Sequence, residues 1–101
     1  MSRPLAYRTA ARAEFDRAFD WYDRQRPGLG VRFATAVETR LKELTVDPER
    51  YPIVHRDVRE APVTGFPYCV YYVVASAHIQ VLSVFHTSRN PVVWKRRRSR
   101  P

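Results

Sequence analysis

In the first half of the chain, apolar residues recur at intervals of three and four, with charged residues between them. The first apolar stripe comprises Ala11, Phe15, Ala18, Phe19 and Tyr22. It predicts an amphipathic helix over residues 10–25 with Thr9 as its N-cap, because a 3.6-residue period aligns these side chains on one face. The second stripe comprises Leu29, Phe33, Val37, Leu41 and Leu44. It predicts a helix ending near Asp47, since a residue before proline disfavours the α-helical conformation.

Only Arg-Pro-Gly, residues 26–28, separates the two predicted helices, so we expect them to form an antiparallel hairpin. Residues 5–8 before the first helix predict a short strand. The second half of the chain changes to the period of β-strands. Residues 66–75 and 79–87 are rich in aromatic and β-branched residues and predict two strands joined by a short turn. Residues 57–63 predict a weaker strand, at an edge because of Pro62.

The predicted order is β-α-α-β-β-β. It indicates an α+β fold in which the helical hairpin packs on one face of a small, mostly antiparallel four-stranded sheet. A chain of 101 residues can bury one modest core. We therefore expect residues 1–101 to form a single domain, with a basic C-terminal tail from about residue 95.

The two central strands are apolar on both faces, which is unusual for a strand with one face in water. In the first, Tyr68, Val70, Tyr72 and Val74 alternate with Cys69, Tyr71, Val73 and Ala75, and in the second Ile79, Val81 and Phe85 oppose Leu82, Val84 and His86. The helical hairpin is wide enough to cover only one face. The other face requires the C-terminal tail, a second copy or another chain, and we expect a binding partner there.

The net charge of +8 is distributed unevenly. Residues 1–50 hold ten basic and eight acidic residues, whereas residues 51–101 hold eight and two, and no acid follows Glu60. A basic half of this kind indicates an anionic partner, such as nucleic acid or an acidic protein segment. The alternative is that the charge only maintains solubility, although such surfaces usually mix both signs.

Several functional classes are disfavoured by the composition. No run reaches the roughly 18 apolar residues of a membrane span, and the N-terminal residues do not suggest a signal peptide, so we expect a cytoplasmic protein with no membrane partner. The single Cys69 allows no disulfide framework. The three histidines lack metal-ligand spacing and there is no glycine-rich phosphate loop, so neither a metal nor a cofactor is expected.

The candidate catalytic residues are His86, Arg89 and Arg59. A histidine can act as general acid or base, and arginines can hold a scissile phosphate, which together would suit metal-free RNA cleavage by an adjacent 2′-hydroxyl. Each has a structural alternative: His86 could bond a backbone carbonyl at the strand end, and Arg89 could be a solvated turn residue. Trp94 could anchor the tail against the sheet or provide a base-stacking surface.

Two stretches resemble the RelE/ParE superfamily of bacterial toxins, also called plasmid stabilisation proteins, of type II toxin–antitoxin systems. They are FPYCVYYVV and, after a short turn, IQVLSVFHTSRNPVVW, in which His86, Arg89 and Pro91 follow an apolar strand. The opening YRTAARAEFDRAFDWYDRQRPGLGVRF is also similar to the first strand and helical hairpin of that superfamily. The resemblance covers roughly residues 5–98.

The resemblance implies a toxin that arrests bacterial growth and is neutralised by a cognate antitoxin in a hetero-oligomeric complex. The antitoxin's C-terminal segment would lie along the uncovered apolar face and the basic rim. The residues expected to bind the antitoxin or the cellular target are Tyr72, Arg89, Trp94, Lys95, Arg96, Arg97 and Arg98.

The superfamily offers two cellular targets. RelE-like members cut mRNA on the ribosome, whereas ParE-like members inhibit DNA gyrase. Nuclease members commonly carry an arginine near the start of the third strand, and the matching position here is Cys69, which cannot supply that cation. Together with Trp94 after the proline, this favours a ParE-like gyrase inhibitor. The alternative is a RelE-like, ribosome-dependent endoribonuclease that uses His86, Arg89 and Arg59.

Overall fold

The computed structural model describes residues 3–99, in which five strands form one sheet, α1 and α2 pack on one of its faces, and α3 packs on the other. In chain order they are β1 (Leu5–Tyr7), α1 (Thr9–Gln25), α2 (Leu29–Val46), β2 (Ile53–His55), β3 (Val58–Pro62), β4 (Tyr68–Val74), β5 (Ile79–His86) and α3 (Val92–Ser99). A single 3-10 turn, Pro48–Arg50, follows α2. None of the helices in this described part is long and apolar enough to cross a bilayer.

The two predicted helices are confirmed as α1 and α2, and α2 ends directly before Asp47-Pro48 as expected. The prediction for Thr9 as N-cap is wrong: Thr9 is the first helical residue, and Arg8 precedes it without a side-chain cap bond. Between the helices, Gly28 adopts φ 91°, a left-handed conformation that favours glycine. The Asp23 carboxylate closes this turn by accepting from the backbone N–H groups of Gly28 and Gly30 at 3.0 and 3.2 Å.

Gly30 allows α2 to approach α1 closely. A Cβ atom at this position would lie 2.8 Å from the Phe19 carbonyl oxygen, which is closer than real Cβ contacts permit. Aromatic rings then fill the interface, because Phe33 stacks on Phe15 with the ring centroids 5.7 Å apart. The helix pair therefore packs as one layer against the sheet.

The sheet has five strands in the order β1-β5-β4-β3-β2. Strand β1 runs parallel to β5, whereas the other neighbours are antiparallel. The predicted α+β class is confirmed, but the predicted chain order β-α-α-β-β-β with four strands is wrong: the sheet is mixed, β2 is an additional edge strand, and α3 follows β5. Strand β2 is only three residues long and lies between Pro52 and the left-handed Arg56 (φ 55°), so it is too short to show a period.

A β-bulge changes the faces of β5. Tyr71 pairs with Ser83 and Tyr72 with Val81, which leaves Leu82 as an extra residue. Beyond a bulge the alternation of side chains shifts by one residue. Consequently Val84 packs with the helices and Phe85 packs on the opposite face, the reverse of the predicted assignment.

The helix-facing core joins α1, α2 and one face of the sheet. It contains Ala11, Ala18, Phe33, Val37, Leu41, Leu44, Tyr51, Ala61, Val63, Val70, Tyr72, Ile79, Val81 and Val84. The second apolar face of the sheet is also buried, by α3. Its core contains Val58, Cys69, Tyr71, Val73, Leu82, Phe85 and Trp94.

The expectation that a partner covers this second face is therefore wrong, because the chain covers the face with its own C-terminal helix. Trp94 is 2% exposed and its ring stacks on Tyr71, with the centroids 4.0 Å apart and an interplanar angle of 15°. The structural alternative for Trp94, an anchor, is confirmed. The basic residues after it continue α3 rather than forming an extended tail.

Candidate functional site

Strand β5 ends at His86, whose ring is oriented by the following turn. The Ser88 backbone N–H donates to His86 Nδ1 at 3.1 Å, and the Ser88 Oγ lies 2.8 Å from the same nitrogen. Because a backbone N–H can only donate, Nδ1 is the acceptor, and in the neutral ring the hydrogen is on Nε2. The side chain of His86 therefore offers an N–H donor on its other edge.

The turn also brings Arg89 beside His86, as the sequence predicted. The Arg89 backbone N–H donates to the His86 carbonyl at 3.1 Å, and its guanidinium lies 4.8 Å from the centroid of the Phe85 ring. On the helix-facing side, the His86 ring meets Tyr68 edge to face at 5.1 Å. These contacts place an imidazole, a guanidinium and a phenol together at one end of the sheet.

A cleft of about 210 Å³, which we name the α1–β5 cleft, opens at this end of the sheet. It is lined by Glu14, Arg17, Ala18, Trp21, Tyr68, Val84, His86 and Arg89. Burial raises the pKa of Tyr68, and the nearby Arg89 guanidinium partly offsets this rise. Arg17, Trp21 and Tyr68 were not predicted as site residues, because no local pattern links α1 to the end of β5.

The third predicted catalytic residue, Arg59, lies elsewhere. Its guanidinium donates to the backbone carbonyls of Glu49 and Tyr51 at 3.1 and 2.7 Å, which fixes the turn after α2. Arg59 pairs with Tyr72 on β4, whereas His86 pairs with Tyr68. Four residues separate these positions along β4, or roughly 13 Å. The predicted trio of His86, Arg89 and Arg59 therefore does not form one site.

Two further candidates lie in the interior. Tyr72 is fully buried, its hydroxyl donates to the Pro48 carbonyl at 2.6 Å, and burial raises its pKa to about 12. The expectation that Tyr72 contacts a partner is wrong for this reason. Cys69 faces α3, on the side of the sheet opposite Tyr68, and burial raises the pKa of its thiol to about 11.

The basic residues of α3 differ in what they do. Arg98 binds the Asp57 carboxylate with two hydrogen bonds of 2.7 and 2.8 Å, and this contact lowers the pKa of Asp57. Arg97 points into the molecule, whereas the Lys95 ammonium lies 5.9 Å from the Trp94 ring and Arg96 is exposed. Two of the four predicted binding cations therefore hold α3 in place.

A buried polar cluster joins α1, β5 and α3. The Glu14 carboxylate accepts from Arg97 at 2.8 and 3.2 Å, from the Ser83 hydroxyl at 2.8 Å and from the Val84 backbone N–H at 3.3 Å. Arg97 also donates to the Leu82 carbonyl at 3.0 Å. Strand β1 pairs only with residues 79–81 of β5. Beyond the end of β1, the Glu14 and Arg97 side chains therefore bind the Val84 N–H and the Leu82 carbonyl, which would otherwise be unpaired at the edge of the sheet.

The importance of Glu14 was missed, although the sequence contained a sign of it. Glu14 follows Ala11 by three residues and precedes Ala18 by four, which places a carboxylate on the apolar face of α1. An acid at such a position requires a partner. Its partner, Arg97, lies 83 residues away and could not be identified from spacing.

A second concave surface, the α2 groove, lies along α2 and the turn before β4. Its volume is about 630 Å³, and it is lined by Leu29, Val31, Arg32, Thr35, Ala36, Thr39, Arg40, Glu43, Thr64, Gly65 and Phe66. Val31 is 58% exposed in this groove. In the part of the chain that the structure describes, no three His, Cys, Asp or Glu side chains are arranged to hold a metal ion.

Among the comparisons with known proteins, a family model identifies the family and a solved structure identifies the fold. The family described as the ParE toxin of the type II toxin–antitoxin system parDE matches residues 5–91. Among solved structures, a chain of the chromosomal ParDE TA system from P. aeruginosa superposes with a TM-score of 0.76 at 19% identity, over 86% of this chain and 98% of that chain. At this identity the superposition shows a shared fold. No curated protein matches the chain.

Proposed function

Because the chain belongs to the ParE toxin family of type II toxin–antitoxin systems, we propose that it arrests bacterial growth by inhibiting DNA gyrase and that a cognate antitoxin neutralises it. The observation that carries this proposal is the family match over residues 5–91, which includes both helices of the hairpin and all five strands. The toxin acts in the cytoplasm, where gyrase and its DNA are found.

The position of the predicted catalytic residues supports gyrase inhibition over mRNA cleavage. A metal-free nuclease needs an acid or base and cations around one phosphate. His86 and Arg89 lie together, but Arg59 is bonded to the carbonyls of residues 49 and 51. Cys69, at the position where nuclease members carry an arginine, is buried beneath α3. These observations favour a toxin that acts by binding a protein target.

We place the antitoxin in the α2 groove. Its lining combines apolar surface from Val31, Ala36 and Phe66 with the exposed cation Arg32. An amphipathic segment with acidic residues complements such a surface. The face beneath α3, which the sequence had suggested for the antitoxin, is already buried.

A supercoiling assay tests the proposed target. Purified toxin added to gyrase and relaxed plasmid should reduce supercoiling and cause cleaved DNA to accumulate, whereas toxin already bound to the antitoxin of the same operon should have no effect. A parallel translation reaction distinguishes the alternative. Intact supercoiling, together with codon-specific mRNA cleavage on ribosomes, would refute gyrase inhibition and favour the RelE-like mechanism.

A further inference from the structure

We propose that the α1–β5 cleft binds a phosphate group of a single-stranded nucleic acid, with the neighbouring base against Trp21. The inference goes beyond the proposed function, because it holds whether or not gyrase is the target. It depends on the donors that converge in the cleft, on the neutralisation of its one acid, and on an exposed aromatic ring at its rim.

The cleft presents hydrogen-bond donors from three elements. Arg17 comes from α1, Tyr68 from β4, and His86 and Arg89 from the end of β5 and its following turn. The Ser88 N–H donates to His86 Nδ1, so the Nε2–H on the other edge of the ring is available to donate to a ligand. Among the described residues, neither Arg17 nor Arg89 forms a salt bridge with a carboxylate. The Arg89 guanidinium lies at the end of the sheet, 4.8 Å from the centroid of the Phe85 ring. Two guanidinium groups without a carboxylate partner, together with the neutral donors of Tyr68 and His86, are suited to a phosphate.

The acid that lines the cleft does not oppose an anion. Glu14 is 6% exposed, and its carboxylate already accepts four hydrogen bonds from Arg97, Ser83 and Val84. Its charge is thus compensated by Arg97, which does not itself line the cleft. The other charged residues that line the cleft are Arg17 and Arg89, which form no salt bridge among the described residues, so an anion there would meet two positive charges.

Trp21 provides a planar apolar surface beside these cations. It is 52% exposed, and its ring meets Tyr22 edge to face at 5.1 Å, which holds it in place on α1. Exposed aromatic rings next to cations are typical of surfaces on which single-stranded bases stack. A base stacked on Trp21 would lie at the same rim as a phosphate bound between Arg17 and Arg89.

The size of the cleft favours a phosphate over a whole nucleotide. Its volume of about 210 Å³ is below the roughly 300 Å³ at which pockets for drug-sized ligands begin. The phosphate would enter the cleft while the sugar and base remain outside. A strand whose backbone continues past the opening satisfies this geometry.

The test is fluorescence anisotropy with a labelled single-stranded DNA of about 12 nucleotides and with the matching duplex. A chain of charge +8 attracts any polyanion, so the comparison must be between variants of equal charge. The site variant is Arg17→Gln/Arg89→Gln. The control is Arg32→Gln/Lys42→Gln, which removes the same charge from exposed positions on α2. Circular dichroism and thermal unfolding establish that both variants fold.

We expect the site variant to lose affinity by at least about tenfold. The slope of log affinity against log salt should become shallower by about 0.7, the contribution of one phosphate contact on a single strand. The control should lose less than about threefold. Trp21→Ala should weaken binding of the single strand about tenfold while changing duplex binding little. Equal losses in the two double variants would show that net charge alone attracts the DNA, and would overturn the proposal.

A second measurement distinguishes a nucleic-acid phosphate from a free one. Inorganic phosphate and adenosine monophosphate are titrated while the His86 ring resonances are followed by NMR. We expect millimolar binding for both, far weaker than for the oligonucleotide. Saturation at micromolar free phosphate, with no difference between the site and control variants in DNA binding, would assign the cleft to a small phosphate ligand and refute the nucleic-acid assignment.

Discussion

The Arg97 guanidinium contacts the Glu14 carboxylate at 2.8 and 3.2 Å and thereby joins the last helix to the first. Only 16% of the Arg97 side chain and 4% of the Glu14 side chain are exposed. The pair also binds the Leu82 carbonyl and the Val84 N–H, which β1 is too short to reach. The position of α3 over the second face of the sheet therefore depends on an ion pair as well as on apolar packing.

Glu14→Gln should lower the free energy of unfolding by about 3–5 kcal/mol, because Arg97 would remain buried without its counter-charge. Denaturant unfolding followed by circular dichroism measures this. Asp16→Asn, in the exposed pair with Arg12, is the control and should cost less than about 0.5 kcal/mol. Similar costs for the two variants would show that the buried pair does not hold the helices together.

Trp94→Ala should destabilise the protein by about 3–5 kcal/mol, since it leaves a cavity above Tyr71 in the second core. It should also increase the binding of the dye anilinonaphthalene sulfonate, because the sheet face beneath α3 becomes exposed. Trp21→Ala is the matched control, as Trp21 is half exposed. If the two alanine variants have the same stability and dye binding, α3 does not cover the sheet in solution.

Cys69 should react slowly with iodoacetamide in the folded protein. Burial raises the pKa of its thiol from 9.0 to about 11, so at pH 8 the thiolate fraction is about a hundredfold smaller than in the unfolded chain. Mass spectrometry of samples labelled with and without urea measures the two rates. Labelling at the same rate in both samples would contradict the burial of this side chain.

Asp57→Asn should reduce stability near neutral pH and have no effect in strong acid. The bond from Arg98 lowers the folded-state pKa of Asp57 below its ordinary value of 3.8. Its contribution is therefore present above that value and is lost as the pH falls through the lowered folded-state pKa. Since the Asp57 side chain is 54% exposed, the difference at pH 7 should not exceed about 0.5 kcal/mol. Unfolding curves of the wild type and the variant from pH 2 to 7 measure this. A difference in stability that persists at the acid end would contradict the prediction.

Val31→Asp should weaken antitoxin binding without unfolding the toxin, because Val31 is exposed in the α2 groove and a carboxylate there would repel an acidic partner. Calorimetry with the antitoxin from the same operon should show a loss of at least about tenfold. Val46→Asp is the control, since Val46 is also exposed on α2 but does not line the groove. Equal affinities of the antitoxin for the two variants would show that it does not bind in the α2 groove.

The predicted site shows where inference from sequence stops. His86 and Arg89 were expected together and do lie together, because two residues that are three positions apart in one turn cannot be far from each other. Arg59 was grouped with them by chemistry alone, and the register of β3 on β4 places it with the turn after α2. Arg97 and Arg98 were expected to bind a partner, but their carboxylate partners, Glu14 and Asp57, lie within the chain.

The local sequence by itself determined the helical hairpin, its end before Pro48, and the two strands that are apolar on both faces. These features depend on side chains within a few residues of one another, and at such short range the spacing in the sequence fixes which face of a helix or strand each side chain lies on. Only the tertiary structure decided that β1 lies parallel to β5, that a bulge at Leu82 reverses the faces of β5, and that α3 covers the second face. Each of these depends on contacts between distant segments, and their free energy is set by the packing of the whole chain rather than by any local pattern.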